Sequence, residues 1–218
     1  MTTTRPILLD LFCKQGGAGM GYHLADFDVV GVDIEAQPRY PFRFIQADAV
    51  DYAARHGWAF DIVHASPPCQ AHSKAQRIYN RTHPDLITQI RDVLVASGRP
   101  YVIENVEDAP LLNPITLCGA MFEGLRTYRH RLFESNVQLT VPAHPAHELP
   151  LTKMGRPPQP GEFMHVVGNF SGVAQARQAM GASWMSREGL REAIPPAYTR
   201  FLGAQLLSHL DAGKAVAA

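Results

Sequence analysis

The stretch LLDLFCKQGGAGMGYHLADF, residues 8–27, decides the fold. Its first part belongs to RPILLDLFC (5–13), a continuous apolar run of the kind shown by a strand buried on both faces. The run gives way to Gly16, Gly17, Gly19 and Gly21, and MGYHLADF then reads as a short helix. Glycines at such a turn permit a tight bend, close approach of the backbone to a ligand, and a helix N-terminus aimed at it. Glycine-rich turns also arise from packing alone, so the loop by itself names no ligand.

Outward from this loop the chain alternates. DVVGVDI (28–34), FRFIQAD (42–48), FDIVHAS (60–66) and PYVIENV (100–106) read as further strands, and HPDLITQIRDVLVAS (83–97) as a helix between the last two. Strand–helix alternation with acidic or small residues at strand ends predicts an α/β fold with a mostly parallel, doubly wound sheet. Ligands on such sheets bind beyond the carboxyl ends of the strands. The second half is less regular. RHRLFES (129–135) reads as a strand, and the proline-rich VPAHPAHELPLTKMGRPPQPGE (141–162) as a loop or arm. MSREGLREAI and PAYTRFLGAQLLSHL (196–210) read as closing helices split at Pro195–Pro196, with DAGKAVAA as a frayed tail.

Composition bounds the possibilities. A chain of 218 residues with 46% hydrophobic and 18% charged residues is the size of one globular domain. Its apolar runs are too short to span a bilayer, and MTTTRP lacks a signal-peptide core. Three widely spaced cysteines, Cys13, Cys69 and Cys118, indicate neither a disulfide framework nor a zinc site, so a reducing cytoplasm is expected. Net charge is zero, so no broad basic field marks a nucleic-acid surface; basic residues cluster only locally, in SKAQRIYNR (73–81) and RTYRHR (126–131).

Several residues carry chemistry. Asp33 ends the second strand, ~20 residues beyond the loop, where a carboxylate accepts hydrogen bonds from a ribose diol. Asp48 ends the third strand, positioned for an adenine amino group or for capping a helix. In ASPPCQAHS (65–73), Pro67 and Pro68 stiffen the backbone before Cys69, whose thiolate would need cations such as Arg129, Arg131 or His72 nearby. Cys13 and Cys118 lie in apolar runs and read as small buried hydrophobes. Glu104 ends a buried strand, where desolvation raises a carboxyl pKa and makes it a proton donor. Arg129 and Arg131 alternate along a strand and so share one face.

Four motifs in this order resemble those of the C5-cytosine DNA methyltransferases, in particular small phage and bacterial members. DLFCKQGGAGMG is similar to their first motif and SPPCQ to their catalytic Pro-Cys-Gln; ENV and RHR resemble their Glu-Asn-Val and Arg-x-Arg. EAIPPAYTRFLGAQL (192–206) resembles the closing motif that packs on the cofactor site, so the match spans about residues 7–206. The resemblance implies a Rossmann-like class I methyltransferase fold with a small C-terminal arm region. It implies S-adenosylmethionine as donor, no metal, and a cytosine flipped out of double-stranded DNA as acceptor. Phe12, Gly16 and Gly17 would line the cofactor, Asp33 its ribose, Ile34 and Ala49 its adenine, and Asp48 the adenine edge, with Pro68 and Glu192 completing the site. Cys69 would attack C6, Glu104 would engage N3 and the exocyclic amine, and Arg131 with Arg129 would hold the base. Gln70, Ser73, Lys74, Arg77 and Arg81 are the expected DNA contacts. The place of action would be the cytoplasm of a bacterial cell or phage-infected host.

The chain departs from that pattern in three ways. Only residues 136–183 stand where larger relatives carry a recognition domain, so the expectation is a single catalytic domain, 1–218, with a short recognition-like insertion. His144, His147 and His165 sit near this arm and could contact DNA; without cysteines or an ordered spacing they do not read as metal ligands. Glu192 replaces a common asparagine near the methionine end of the cofactor. Lys14 replaces a small residue, usually glycine. A lysine beside the sulfonium could pair with a carboxylate, which makes carboxy-S-adenosylmethionine, with 5-carboxymethylcytosine as product, the alternative donor. RNA as substrate, since some relatives modify tRNA, and a catalytically dead DNA-binding protein are the remaining readings.

Overall fold

A computed structural model describes residues 5–68, 86–153 and 155–217. Strands β1 (Ile7–Leu11), β2 (Asp28–Asp33), β3 (Arg43–Gln46), β4 (Ile62–Ala65), β5 (Tyr101–Asn105), β6 (Ile115–Leu117) and β7 (Arg131–Ser135) form one sheet. Their order is β3-β2-β1-β4-β5-β7-β6. The neighbours from β3 through β5 pair in parallel, whereas β7 runs antiparallel to both β5 and β6. The described helices are α1 (Gly17–Leu24), α2 (Ala49–His56), α3 (Leu86–Ser97), α4 (Val173–Met180), α5 (Arg187–Glu192) and α6 (Pro196–Ala217).

The continuous apolar strands are needed because both faces are covered. Leu8, Ile62 and Val102 join Tyr22, Phe27, Tyr198 and Leu202 on the face of α1 and α6. The next residue along each strand, Leu9, Val63 and Ile103, joins Ala53, Ile90 and Leu94 on the face of α2 and α3. Each fully buried leucine or isoleucine contributes roughly 1.5–3 kcal/mol.

Two features of this frame position the site. The strand order reverses between β1 and β4, so the loops after β1, β2, β4 and β5 open onto one crevice. Because β7 is antiparallel, its first residue lies at the carboxyl end of β5, with Leu132 opposite Asn105 and Phe133 opposite Glu104. A parallel strand would carry its start to the opposite edge.

The structure departs from the sequence reading in places. The strand begins at Arg131, and Arg129 lies outside it at a φ of 29°, so the two arginines do not share a strand face. The tail expected to fray continues α6 as far as Ala217, through residues that are mostly good helix formers. β6 and α4 were not legible as elements; the first has three residues and the second eight. The arm at 141–162 has no regular structure among its described residues beyond a bridge between Leu151 and Phe163. No helix among the described residues is long and apolar enough to cross a membrane.

Two of the loop glycines serve packing. A side chain at Gly21 would fall on Thr199 Oγ1 and the Pro196 carbonyl, and one at Gly17 on the Ile194 carbonyl. Gly21→Ala should therefore destabilise the protein by about 1–3 kcal/mol or more through overpacking. Gly213→Ala, in α6 with open space around it, should be neutral or stabilising by up to about 1 kcal/mol. Urea denaturation of both variants measures the contrast.

Candidate active site

The crevice holds a cavity of about 340 Å³. Its first wall is the glycine loop. Phe12 and Lys14 both adopt positive φ, 57° and 43°, a conformation that costs a non-glycine residue roughly 1–3 kcal/mol. The loop is held by Asp33, whose Oδ2 accepts from the Lys14 amide at 3.0 Å and whose Oδ1 accepts from the Glu35 amide at 3.1 Å. These bonds orient a buried carboxylate toward the cavity that it lines. Ile34 lies beside it, unusually exposed for an isoleucine at 66%, with its carbonyl held by Gln46 Nε2. Asp48 caps α2 through the Asp51 amide at 2.9 Å and still lines the cavity, as does Ala49. Its two sequence readings are therefore compatible.

Lys14 reaches from the same wall. Its Nζ lies 3.2 Å from Glu35 Oε2, an exposed carboxylate. Burial pulls its pKa down, but Asp33, Glu35 and Glu192 together outweigh that and hold it above the ordinary lysine value. Gly17, Pro68 and Glu192 line the cavity as expected; Gly16 instead takes the N-cap of α1 at a φ of 79° and lies outside the lining. Gln15, which the sequence places beside Lys14 in the loop without a role, lines the cavity and ties the loop to the closing segment. Its side chain exchanges two hydrogen bonds with Ser186, at 2.8 and 2.9 Å, and its carbonyl accepts from Trp184.

The inner wall carries the acid–base groups. Glu104 is buried, and desolvation raises its carboxyl pKa against the opposing pull of Arg131, Arg129 and a hydrogen bond from Ser66. Arg131 Nε meets Glu104 Oε1 at 2.9 Å. Behind Ser66 stand His64 Nε2, at 2.8 Å from its hydroxyl, and Tyr22, whose hydroxyl lies 3.0 Å from His64 Nδ1. With Ser66 donating to Glu104, its oxygen must accept from His64 Nε2–H, leaving Nδ1 to accept from Tyr22. Burial pushes the His64 pKa down to about 3, so this imidazole is neutral. Asn105 Nδ2 donates to the Pro67 carbonyl at 2.9 Å and so fixes the Pro-Pro segment against β5.

Arg129 does not line the cavity. Its guanidinium donates to the backbone carbonyls of Ala193 at 2.7 Å, Val166 at 2.9 Å and Arg191 at 2.5 Å. It thereby braces the end of α5, which bears Glu192. Cys69 and its expected neighbours Gln70, Ser73, Lys74, Arg77 and Arg81 lie outside the described residues.

Two further groups escaped the sequence reading. Asp10, next to the last residue of β1, is buried with Oδ2 accepting from the Tyr40 hydroxyl at 3.1 Å and Oδ1 without a partner. Burial pushes its pKa up to about 8. An aspartate inside an apolar run was the available signal. The second is a cluster that the reading of the histidines did not anticipate; Cys118 is buried among Tyr128 and Phe163, as read, and meets the histidines there. His144 and His147 fold back to meet Cys118 and His130, with all four ligand atoms within 4.8 Å of one another. His165 is not among them.

No protein-family model and no curated protein matches the sequence. The structure does match solved ones. It is similar to a prophage-encoded protein of E. coli assigned as a DNA modification methyltransferase, with a TM-score of 0.66 at 13% identity, covering 94% of this chain and 99% of that one. It is similar to the S. pombe Dnmt2 methyltransferase, with a TM-score of 0.63, 13% identity and the same coverage. The chain has the Rossmann-like fold of these methyltransferases.

Asp10 gives a test of the site's electrostatics. The folded protein keeps the Asp10 proton up to about pH 8, whereas the unfolded chain releases it near 3.8. Stability from this group is therefore lost as pH rises between those values, because the unfolded state binds fewer protons there. In the ligand-free protein Asp10→Asn should gain on the wild type by a few kcal/mol between about pH 5 and about pH 8. Urea midpoints across that range measure it; parallel pH curves for the two proteins would exclude the assignment.

Proposed function

We propose that the chain is an S-adenosylmethionine-dependent DNA methyltransferase that modifies C5 of a flipped cytosine through a covalent adduct with Cys69. The observation that carries this reading is the Glu104–Arg131 pair, buried at the inner wall of the same cavity that Asp33 and Asp48 line. Acidic groups for an adenosine at one end and an acid–arginine pair for a base at the other make a two-substrate site. The cavity also fits the donor's charge. The unpartnered Oδ1 of Asp10 suits a cationic methionine amine, Asp33 a ribose diol, and exposed Ile34 an adenine face.

On this reading Cys69, the residue after cavity-lining Pro68, attacks C6 as a thiolate. The electron pair moves toward N3, where Glu104 donates its proton and Arg131 offsets the charge. The bound cofactor supplies an electrophilic methyl group on a sulfonium, to which the activated C5 is nucleophilic. As C5 takes the methyl group the N3 proton returns to Glu104; a base, water at its simplest, then removes the C5 proton, and the C5–H pair re-forms the C5–C6 double bond and expels the Cys69 thiolate. Arg129 acts by positioning α5. Residues 136–183 serve as the short recognition insertion of a single catalytic domain. Double-stranded DNA is the partner, and Gln70, Ser73, Lys74, Arg77 and Arg81 are its contacts. The place of action is the cytoplasm of a bacterial cell or phage-infected host.

A second reading of the donor rests on Lys14. Lys14 lines the cavity within electrostatic reach of Glu192, and its ammonium is paired with the exposed Glu35, from which an incoming carboxylate can detach it. That arrangement supports carboxy-S-adenosylmethionine as donor and 5-carboxymethylcytosine as product.

Incubation with duplex DNA or tRNA and each donor, followed by mass spectrometry of the nucleosides, separates these readings. 5-Methylcytosine in DNA is expected from the ordinary donor, and Cys69→Ser should abolish both product and the covalent complex with 5-fluorocytosine DNA. Glu104→Gln should lower kcat by about 10²–10⁴-fold. If the carboxy donor is used, Lys14→Gly should abolish that use and spare methylation. Product in tRNA alone, or no adduct at all, would overturn the DNA reading.

A further inference from the structure

We propose that Cys118, His130, His144 and His147 form a structural zinc site that staples the proline-rich arm to the start of β7. Cys118 follows β6, His130 immediately precedes β7, and His144 and His147 come from the arm. The Cys118 Sγ lies 3.3 Å from His147 Nε2, and the Nε2 atoms of His130 and His144 lie 3.0 Å apart. A tetrahedral zinc with bonds of about 2.0–2.1 Å to nitrogen and about 2.3 Å to sulfur separates its ligand atoms by about 3.3–3.6 Å. The two close pairs lie at or just under this spacing and all four atoms lie within 4.8 Å of one another, so the cluster is at the right scale and needs modest shifts to admit the ion. The three imidazole centroids stand 5.0, 5.0 and 5.2 Å apart, and their ligand nitrogens gather with the Cys118 sulfur in one group.

The surroundings are those of a held ligand set. The Cys118 sulfur accepts a hydrogen bond from the Met121 amide of the short turn that follows, which fixes its position. Tyr128 stacks on the His147 ring at 3.6 Å and an interplanar angle of 12°, and its hydroxyl donates to the Leu149 carbonyl at 2.7 Å. The ring and the backbone just beyond it are thus fixed together. One sulfur and three nitrogens select zinc over the hard cations, and four protein ligands make a closed site, structural rather than catalytic. Hydrogen bonding alone accounts for two separate pairs, Cys118 with His147 and His130 with His144. It does not account for the convergence of all four.

The site also reaches the cavity. The His130 carbonyl accepts from Arg131 Nη1 at 2.8 Å, so fixing His130 fixes the residue that pairs with Glu104. An ion here would set the arm and Arg131 in one frame. This holds whatever group the enzyme transfers.

The test uses the full chain, tag removed, incubated with equimolar zinc and then gel-filtered, with metal measured by plasma mass spectrometry. One zinc per chain is expected. His144→Ala and His147→Ala, at exposed positions, should remain folded by circular dichroism and lose zinc about tenfold or more. The cobalt-loaded protein should show a thiolate-to-metal charge-transfer band that Cys118→Ser removes while the visible bands persist. Chelation should speed tryptic cleavage after Lys153 in the arm. A wild-type chain that retains no stoichiometric zinc, or histidine variants that keep it, would overturn the proposal; neither readout depends on DNA or on a methyl donor.

Discussion

The site depends on keeping Glu104 buried and usable. A carboxylate at the end of a doubly covered strand loses its hydration, and an isolated charge there would cost several kcal/mol. The fold resolves this by running β7 antiparallel, which delivers Arg131 to Glu104 at 2.9 Å, and by a second line of donors through Ser66, His64 and Tyr22. Burial of His64 keeps that line neutral, so no competing cation shares the space. Burial raises the Glu104 pKa while Arg131 and Ser66 oppose the rise, the kind of balance that the proposed proton transfer draws on. Asn105, the next residue, holds Pro67, so a single strand end sets both the acid and the backbone leading toward Cys69.

Much of this was legible in the sequence because it obeys local rules. Strands buried on both faces must be apolar at every position, and the residues just past their ends fall in one crevice; Asp33, Asp48, Glu104 and Pro68 were found that way. The glycine loop was legible as a turn and only half legible in purpose. Gly17 and Gly21 make room for the segment that closes the fold, a contact between residues far apart in the chain. Asp10 hid inside an apolar run where alternation gives no cue. Arg129 illustrates the limit most sharply. Its spacing from Arg131 fits a strand, but the backbone turns at a positive φ and sends its guanidinium to three carbonyls of the closing segment.

Lys14 sits in a loop that is already strained. Two left-handed non-glycine positions, Phe12 and Lys14 on either side of Cys13, persist because Asp33 and the closing segment both hold the loop. Glycine would meet the same backbone demand with less strain, so a lysine there is a choice made by its side chain. The ammonium lies among Asp33, Glu35 and Glu192, a surplus of acid that keeps it charged. A charged group facing a sulfonium donor is unfavourable unless it meets a negative group, and both donor readings supply one, either the methionine carboxylate or an added carboxylate.

The arm raises the opposite problem, too little structure in place of too much constraint. A proline-rich segment with almost no regular hydrogen bonding cannot hold a defined surface by backbone pairing, and ordering each residue costs on the order of 1–2 kcal/mol. Its described packing is thin: Phe163 and Tyr128 form a small apolar cluster with Cys118, and Arg156 pairs with Glu162 within the arm itself. A cross-link of the arm to β6 and β7 at its near end removes conformational freedom from the unfolded chain at the cost of only four side chains. The same economy explains why the cluster could not be read from spacing. Its ligands come from three separate segments, Cys118, His130 and the His144–His147 pair, and only the antiparallel return of β7 against β6 brings the first two together.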